Sequence, residues 1–160
     1  MQVRFSRPKG TPVLTCVRAD GSSTYSKSAH GAFFGPHDLM HFAVETTLGM
    51  RGAFFGLIAA GWTIEQFSEP GAAARLPAEA LLAEHIVNLL MQEVTYGPVR
   101  DAKGFNSVLA EAMAGGKHGG SAAARSLAED ELREIRERFA ELLGRFQTLA
   151  PGESLDLEFP

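Results

Sequence analysis

The sequence contains a single cysteine, Cys16, among its 160 residues. One thiol excludes an intramolecular disulfide framework and any cluster of cysteine metal ligands. The residue stands among β-forming, apolar neighbours, which favours an inert buried thiol over a reactive nucleophile. Other nucleophile arrangements are missing too, because no serine occupies a G-x-S-x-G turn and no paired dinucleotide-binding glycines follow a strand.

The chain also lacks a long apolar run and a strongly basic region. Its most apolar stretch, residues 52–62, has about half the length of a membrane-spanning helix. No apolar segment follows a basic start, so we expect no secretory signal, no membrane association and a cytoplasmic location. The formal net charge is −4. Without a concentrated basic face we expect no nucleic-acid partner, and anion binding by the basic first 30 residues is only a minor hypothesis.

Length and composition predict one domain over residues 1–160, since 45% of the residues are hydrophobic. Three short segments near the N-terminus have strand patterns, and Asp20-Gly21 between the second and third is a strong hairpin signal. Residues 154–159 alternate apolar and polar side chains, as a half-buried strand does. The acidic outer face of this last strand complements the basic outer face of the first, so we expect the two to pair.

Helical patterns cover most of the chain between these strands. Four segments show them: residues 37–48, 53–60, 77–96 and 105–114. A fifth helix begins at the capping box Ser126-x-x-Glu129 and continues with apolar residues at helical spacing. The predicted fold class is therefore α+β, with about five helices packed on a small antiparallel sheet of N-terminal hairpin strands and the C-terminal strand. We expect its core to include four aromatic residues: Phe54, Phe55, Trp62 and Phe67.

One short segment, residues 36–45, carries nearly all of the functional signal. It contains the pattern H-D-x-x-H-x-x-x-E. At about 100° per residue, His37, His41 and Glu45 fall within about 80° of one another on a helix surface. Two imidazoles one helical turn apart can bind a common ion, as those of H-E-x-x-H zinc enzymes do.

We therefore predict a divalent metal site, with zinc as the preferred ion and His37, His41 and Glu45 as ligands. One helix supplies two or three ligands at most in good geometry, so others should come from elsewhere. The candidates are His30, Glu84 and His85.

Asp38 is assigned the catalytic role, because it lies about 100° round the helix from His37 and suits proton handling better than coordination. The alternative for the whole motif is structural: histidines near a helix start often only satisfy hydrogen bonds of the core or of the helix end.

The motif resembles those of two families. In the H-E-x-x-H metallopeptidases a glutamate next to the first histidine is the general base, and Asp38, one methylene shorter, stands here in that position. The signature H-D-x-x-H, eleven residues, then Glu of a ubiquinone-biosynthesis protein family matches at His37, Asp38 and His41, whereas Ala53 stands at the position of its downstream glutamate. The resemblance to the H-E-x-x-H enzymes implies metal-dependent chemistry at the two histidines.

Two functions from different classes stay open. The first is a metal-dependent hydrolase or lyase acting on a small organic substrate, in which ion-bound water makes a side-chain nucleophile unnecessary. The second is a non-catalytic helical module with structural histidines. It would associate with itself as a homo-oligomer, or with a partner, through the charged last helix and the Phe33-Phe34 segment.

Overall fold

The computed structural model describes residues 1–7, 13–27, 34–97, 99–115 and 125–160. The strands are β1 (Gln2–Ser6), β2 (Val13–Val17), β3 (Ser23–Lys27) and β4 (Ser154–Glu158). The helices are α1 (Phe34–Leu48), α2 (Phe54–Ala59), α3 (Ala72–Arg75), α4 (Ala78–Tyr96), α5 (Ala102–Gly115) and α6 (Glu129–Gln147), with a 3-10 helix at Glu65–Ser68. The α+β prediction is confirmed. Over the described residues there is one helix more than the five expected, because the single-turn α3 has too few residues to show a helical period.

The four strands form one antiparallel sheet in the order β3-β2-β1-β4. Alternate side chains of a strand point to the same face, and Val3 of β1 is aligned between Cys16 of β2 and Leu157 of β4. The β2–β3 hairpin turns at Asp20 and Gly21, where Gly21 adopts a φ of 83°. This left-handed conformation favours glycine, which is why Asp-Gly predicted the turn.

The two ends of the chain meet in this sheet, as the charge pattern predicts. The guanidinium of Arg4 donates to both carboxylate oxygens of Asp156, at 2.6 and 3.2 Å. The amino group of Met1 donates to the carbonyl oxygen of Phe159 at 2.8 Å, and the Phe159 N–H donates back to the Met1 carbonyl at 2.8 Å. The ion pair is exposed and adds little stability, so the sheet register depends mainly on the buried face.

The described residues form one apolar core, in which α1 packs against both α4 and α6. Its largest fully buried side chains include Phe42, Phe55, Phe105 and Phe159. Cys16 is also fully buried, as expected for an inert thiol, and burial raises its pKa to about 12. None of the helices in the described part of the chain has the length and hydrophobicity of a membrane span.

The predicted capping box at the start of the last helix is wrong. Helix α6 begins at Glu129, and Ser126 is exposed three residues before it. The Glu129 carboxylate accepts the N–H of Ala102 at 2.8 Å, which ties α6 to the start of α5. The carboxylate that reaches back is that of Glu131, which accepts the Ala128 N–H at 2.9 Å.

Two earlier expectations concern residues outside the described ranges. His30, a candidate ligand, lies in 28–33, and so does Phe33 of the Phe33-Phe34 segment that was a candidate interaction surface.

Candidate metal centre

Helix α1 places two histidines side by side. Pro36 stands in its first turn, where the missing N–H is tolerated, and the helix ends at Leu48 before Gly49, which has a φ of 65°. His37 and His41 are four residues apart, and their ring centroids lie 4.8 Å from each other. The two imidazoles therefore share one face of α1, as the spacing predicts.

Glu84 of α4 approaches this pair from the neighbouring helix. Its Oε2 lies 3.1 Å from Nε2 of His41, and its Oε1 lies 3.7 Å from Nε2 of His37. The Nδ2 of Asn88 donates to Glu84 Oε1 at 2.9 Å, which restrains the carboxylate. One potential ligand atom from each of His37, His41 and Glu84 lies within 4.8 Å of the other two. We call these three residues the His-His-Glu cluster.

The other ring nitrogen of each histidine faces an acidic residue of α1. Nδ1 of His41 lies 3.3 Å from Oε1 of Glu45, and Nδ1 of His37 lies 3.8 Å from Oδ1 of Asp38. Histidine ligands of metal ions usually donate their second ring N–H to a carboxylate, a backbone carbonyl or water, which fixes the tautomer and the ring orientation. Both histidines thus present Nε2 to Glu84 and Nδ1 to a carboxylate of their own helix.

Glu45, predicted as a ligand, lies behind His41 rather than in the cluster. Its side chain is fully buried, and its Oε2 accepts the N–H groups of Phe55 at 2.9 Å and Gly56 at 3.2 Å. These donors belong to the first turn of α2, whose N–H groups lack partners within the helix. The Glu45 carboxylate is therefore committed to α2 and to His41 Nδ1.

The carboxylates change the protonation of the metal-free cluster. Asp38 and Glu84 raise the pKa of His37 to about 9. Burial alone would lower the pKa of His41, but Glu45 and Glu84 outweigh it and the net shift is upward. The two histidines in turn hold the pKa of Glu84 far below its usual range. Because a metal ligand must be an unprotonated imidazole, a cation that binds here displaces protons.

Glu45 itself has a raised pKa, because burial disfavours its charged form. The His41 ring and the N–H groups of Gly56 and Phe55 oppose this shift.

The remaining predicted residues take different positions. Asp38 is partly buried beside His37 and outside the His-His-Glu cluster. His85 follows Glu84 on α4 but is not a member of the cluster either. Its Nε2 is buried, with no hydrogen-bond partner among the described residues.

Two nitrogens and one oxygen suit a catalytic zinc site, which typically has three protein ligands and leaves a fourth position for water or substrate. The cluster has a buried side and an open side: the His41 side chain is 7% exposed, whereas that of Glu84 is 47% exposed. Solvent can therefore reach the open side. The buried side limits competition by water for the ligands.

No protein-family model, curated protein or solved structure matches this chain. The geometry of the cluster is therefore the basis for an assignment of function.

Proposed function

We propose that the protein is a metal-dependent enzyme that binds a divalent cation, preferably zinc, through Nε2 of His37, Nε2 of His41 and the carboxylate of Glu84. Its reaction is hydrolysis or elimination on a small organic substrate. One observation carries the proposal: both Nε2 atoms converge on the Glu84 carboxylate, while each Nδ1 atom faces a carboxylate of its own, Asp38 for His37 and Glu45 for His41. This is the arrangement that orients imidazoles for a metal ion.

A purely structural role explains this arrangement less well. A histidine that only satisfies the core can use any neutral donor or acceptor for its two ring nitrogens. Here two adjacent rings face three carboxylates: Asp38, Glu45 and Glu84. Three carboxylates around two adjacent imidazoles concentrate negative charge at one point, which favours a cation there. A divalent ion between the two Nε2 atoms and Glu84 would supply that charge at a single point.

The bound ion would lower the pKa of a water molecule and so supply the nucleophile or base, as zinc does in hydrolases and lyases. We assign proton transfer to Asp38, because its side chain is 22% exposed and can exchange protons with solvent beside His37, on the Nδ1 side of that ring. Glu45 is a positioning residue that holds His41 in one orientation.

The test is calorimetric titration of the chelator-treated full chain with zinc. One ion per chain should bind, and His37→Ala, His41→Ala and Glu84→Gln should each abolish tight binding. Glu141→Gln removes a carboxylate from the exposed face of α6 and should have no effect. Retention of one zinc per chain in the double variant of both histidines would refute the site. Absence of zinc binding by the wild type would favour the non-catalytic helical module.

The role of Asp38 has its own test. Asp38→Asn should keep stoichiometric zinc and lose zinc-dependent turnover of small ester, amide or hydro-lyase substrates. Loss of zinc from this variant would contradict the assignment of Asp38 to proton transfer alone, because it would show that the carboxylate is needed for the ion to bind.

A further inference from the structure

A row of aromatic side chains leads away from the His-His-Glu cluster. The ring of Phe54 lies 5.9 Å from that of His41, centroid to centroid, and Phe67 lies 4.8 Å from Phe54. Trp62, the only tryptophan of the sequence, lies 5.2 Å from Phe67. We call Phe54, Phe67 and Trp62 the aromatic row. Successive rings are tilted by 46 to 50°, and their spacing is typical of attractive aromatic contacts.

The aromatic row differs from the aromatic core that was expected to include it. Phe55 is fully buried, whereas Phe54, Phe67 and Trp62 are only partly buried. Phe54 and Phe67 pack against the core and keep part of their surface open. Aromatic side chains with a few precisely placed polar groups are the usual lining of a small-molecule site.

Several contacts fix the row in place. The guanidinium carbon of Arg75 lies 5.3 Å from the Trp62 ring centroid, and Arg75 also pairs with Glu69 at 2.7 Å. The Arg18 guanidinium donates to the carbonyl oxygen of Trp62. Phe54 immediately precedes Phe55, whose N–H is bound by Glu45. The carboxylate that orients His41 therefore also anchors the backbone next to Phe54.

We propose that the aromatic row binds the ring of the substrate, so that the enzyme acts on small aromatic compounds carrying an oxygen ligand for the metal ion. This inference rests on the proposed function, since the ion at the His-His-Glu cluster is what receives the oxygen. Phe54 is the specificity-determining residue, because it joins the row to His41. A planar ring next to Phe54 gains an aromatic contact that a saturated ring of similar size does not make.

The test compares three hydroxamates on the zinc-loaded full chain, by calorimetry and by Trp62 fluorescence. Benzohydroxamate has a planar ring, cyclohexane-carbohydroxamate a saturated ring and acetohydroxamate no ring, while all three carry the same metal-binding group. We expect benzohydroxamate to bind about two- to tenfold more tightly than the cyclohexane compound, and the acetyl compound to bind most weakly. Benzohydroxamate should also change Trp62 emission.

Two variants complete the test. Phe54→Leu keeps an apolar side chain and should reduce the benzo-to-cyclohexane affinity ratio to about one while zinc still binds. Tyr96→Leu removes an aromatic residue that is 82% exposed at the end of α4 and should leave the ratio unchanged.

Equal affinities of the wild-type chain for the two ring compounds would overturn the inference, even if Phe54→Leu failed to fold. An unchanged ratio in folded Phe54→Leu would overturn it as well. Failure of zinc to bind the wild type would overturn the proposed function and this inference together, whereas zinc binding with a flat ratio would overturn the inference alone.

Discussion

Glu45 and Glu84 both contact His41, but they should differ in effect. We expect a substitution at Glu45 to lower the stability of the fold and one at Glu84 to abolish zinc binding. Glu45→Leu replaces a fully buried carboxylate that accepts the N–H groups of Phe55 and Gly56 and lies 3.3 Å from Nδ1 of His41. A buried donor left without a partner costs about 1–3 kcal/mol. The N–H groups of Phe55 and Gly56 would keep no partner, which gives about 2–6 kcal/mol, whereas His41 can lose its Nδ1 proton. Removing the buried carboxylate returns part of this cost, so we expect a net loss of about 1.5–4 kcal/mol in the free energy of unfolding.

Urea unfolding followed by circular dichroism, with chelator present, measures this loss without any contribution from metal. Glu45→Gln keeps one acceptor oxygen and should lose less than Glu45→Leu. Glu84→Gln is the matched control on the other side of His41. Its side chain is 47% exposed, so we expect a loss of about 1 kcal/mol or less. A loss below about 1 kcal/mol in Glu45→Leu would refute the assignment of this carboxylate to the two backbone donors of α2.

Three further predictions concern the frame around the site. A Cβ at Gly56 would lie 2.3 Å from the carbonyl oxygen of Arg51. Gly56→Ala should therefore lower the midpoint of urea unfolding, and an unchanged midpoint would contradict the close packing of α2 against Arg51. Burial raises the pKa of Cys16 to about 12, whereas the thiol of the unfolded chain ionises at about 8.5. Above that pH the wild type should therefore lose stability relative to Cys16→Ala, by up to about 1.4 kcal/mol per pH unit. A stability difference that does not change with pH would contradict this. Arg136→Ala removes the two-pronged partner of the buried Glu93, which keeps the N–H and the guanidinium of Arg100. We expect a cost of about 1.5–3 kcal/mol on thermal or urea unfolding, against no more than about 0.5 kcal/mol for an unimportant surface contact.

Most of the fold can be predicted from the sequence because its signals are local. Alternation of apolar residues predicts β1 and β4, the Asp20-Gly21 pair predicts the hairpin, and opposite charges at Arg4 and Asp156 predict that the end strands pair. Helix starts are less predictable, because a tertiary contact can take the place of a local cap. Glu129, predicted to close a capping box, instead binds the N–H of Ala102, 27 residues away in sequence.

The candidate site was predictable only as far as its signals are local in sequence. Helical spacing places His37 and His41 on one face, and it also places Glu45 there. Spacing does not reveal that α2 folds back so that its first N–H groups reach Glu45. Nor does it distinguish Glu84 from His85 as the residue of α4 that faces the histidines, since this depends on how α1 and α4 pack against each other.

The central claim is tested most directly by diffraction from zinc-containing crystals of the full chain, measured above and below the zinc absorption edge. The account predicts one anomalous peak per chain, about 2.0–2.1 Å from Nε2 of both His37 and His41 and about 2.0–2.2 Å from a carboxylate oxygen of Glu84. The Glu45 carboxylate should still accept the N–H groups of Phe55 and Gly56. Absence of a peak between the two histidines, or a peak bound by Glu45 in place of Glu84, would contradict the account.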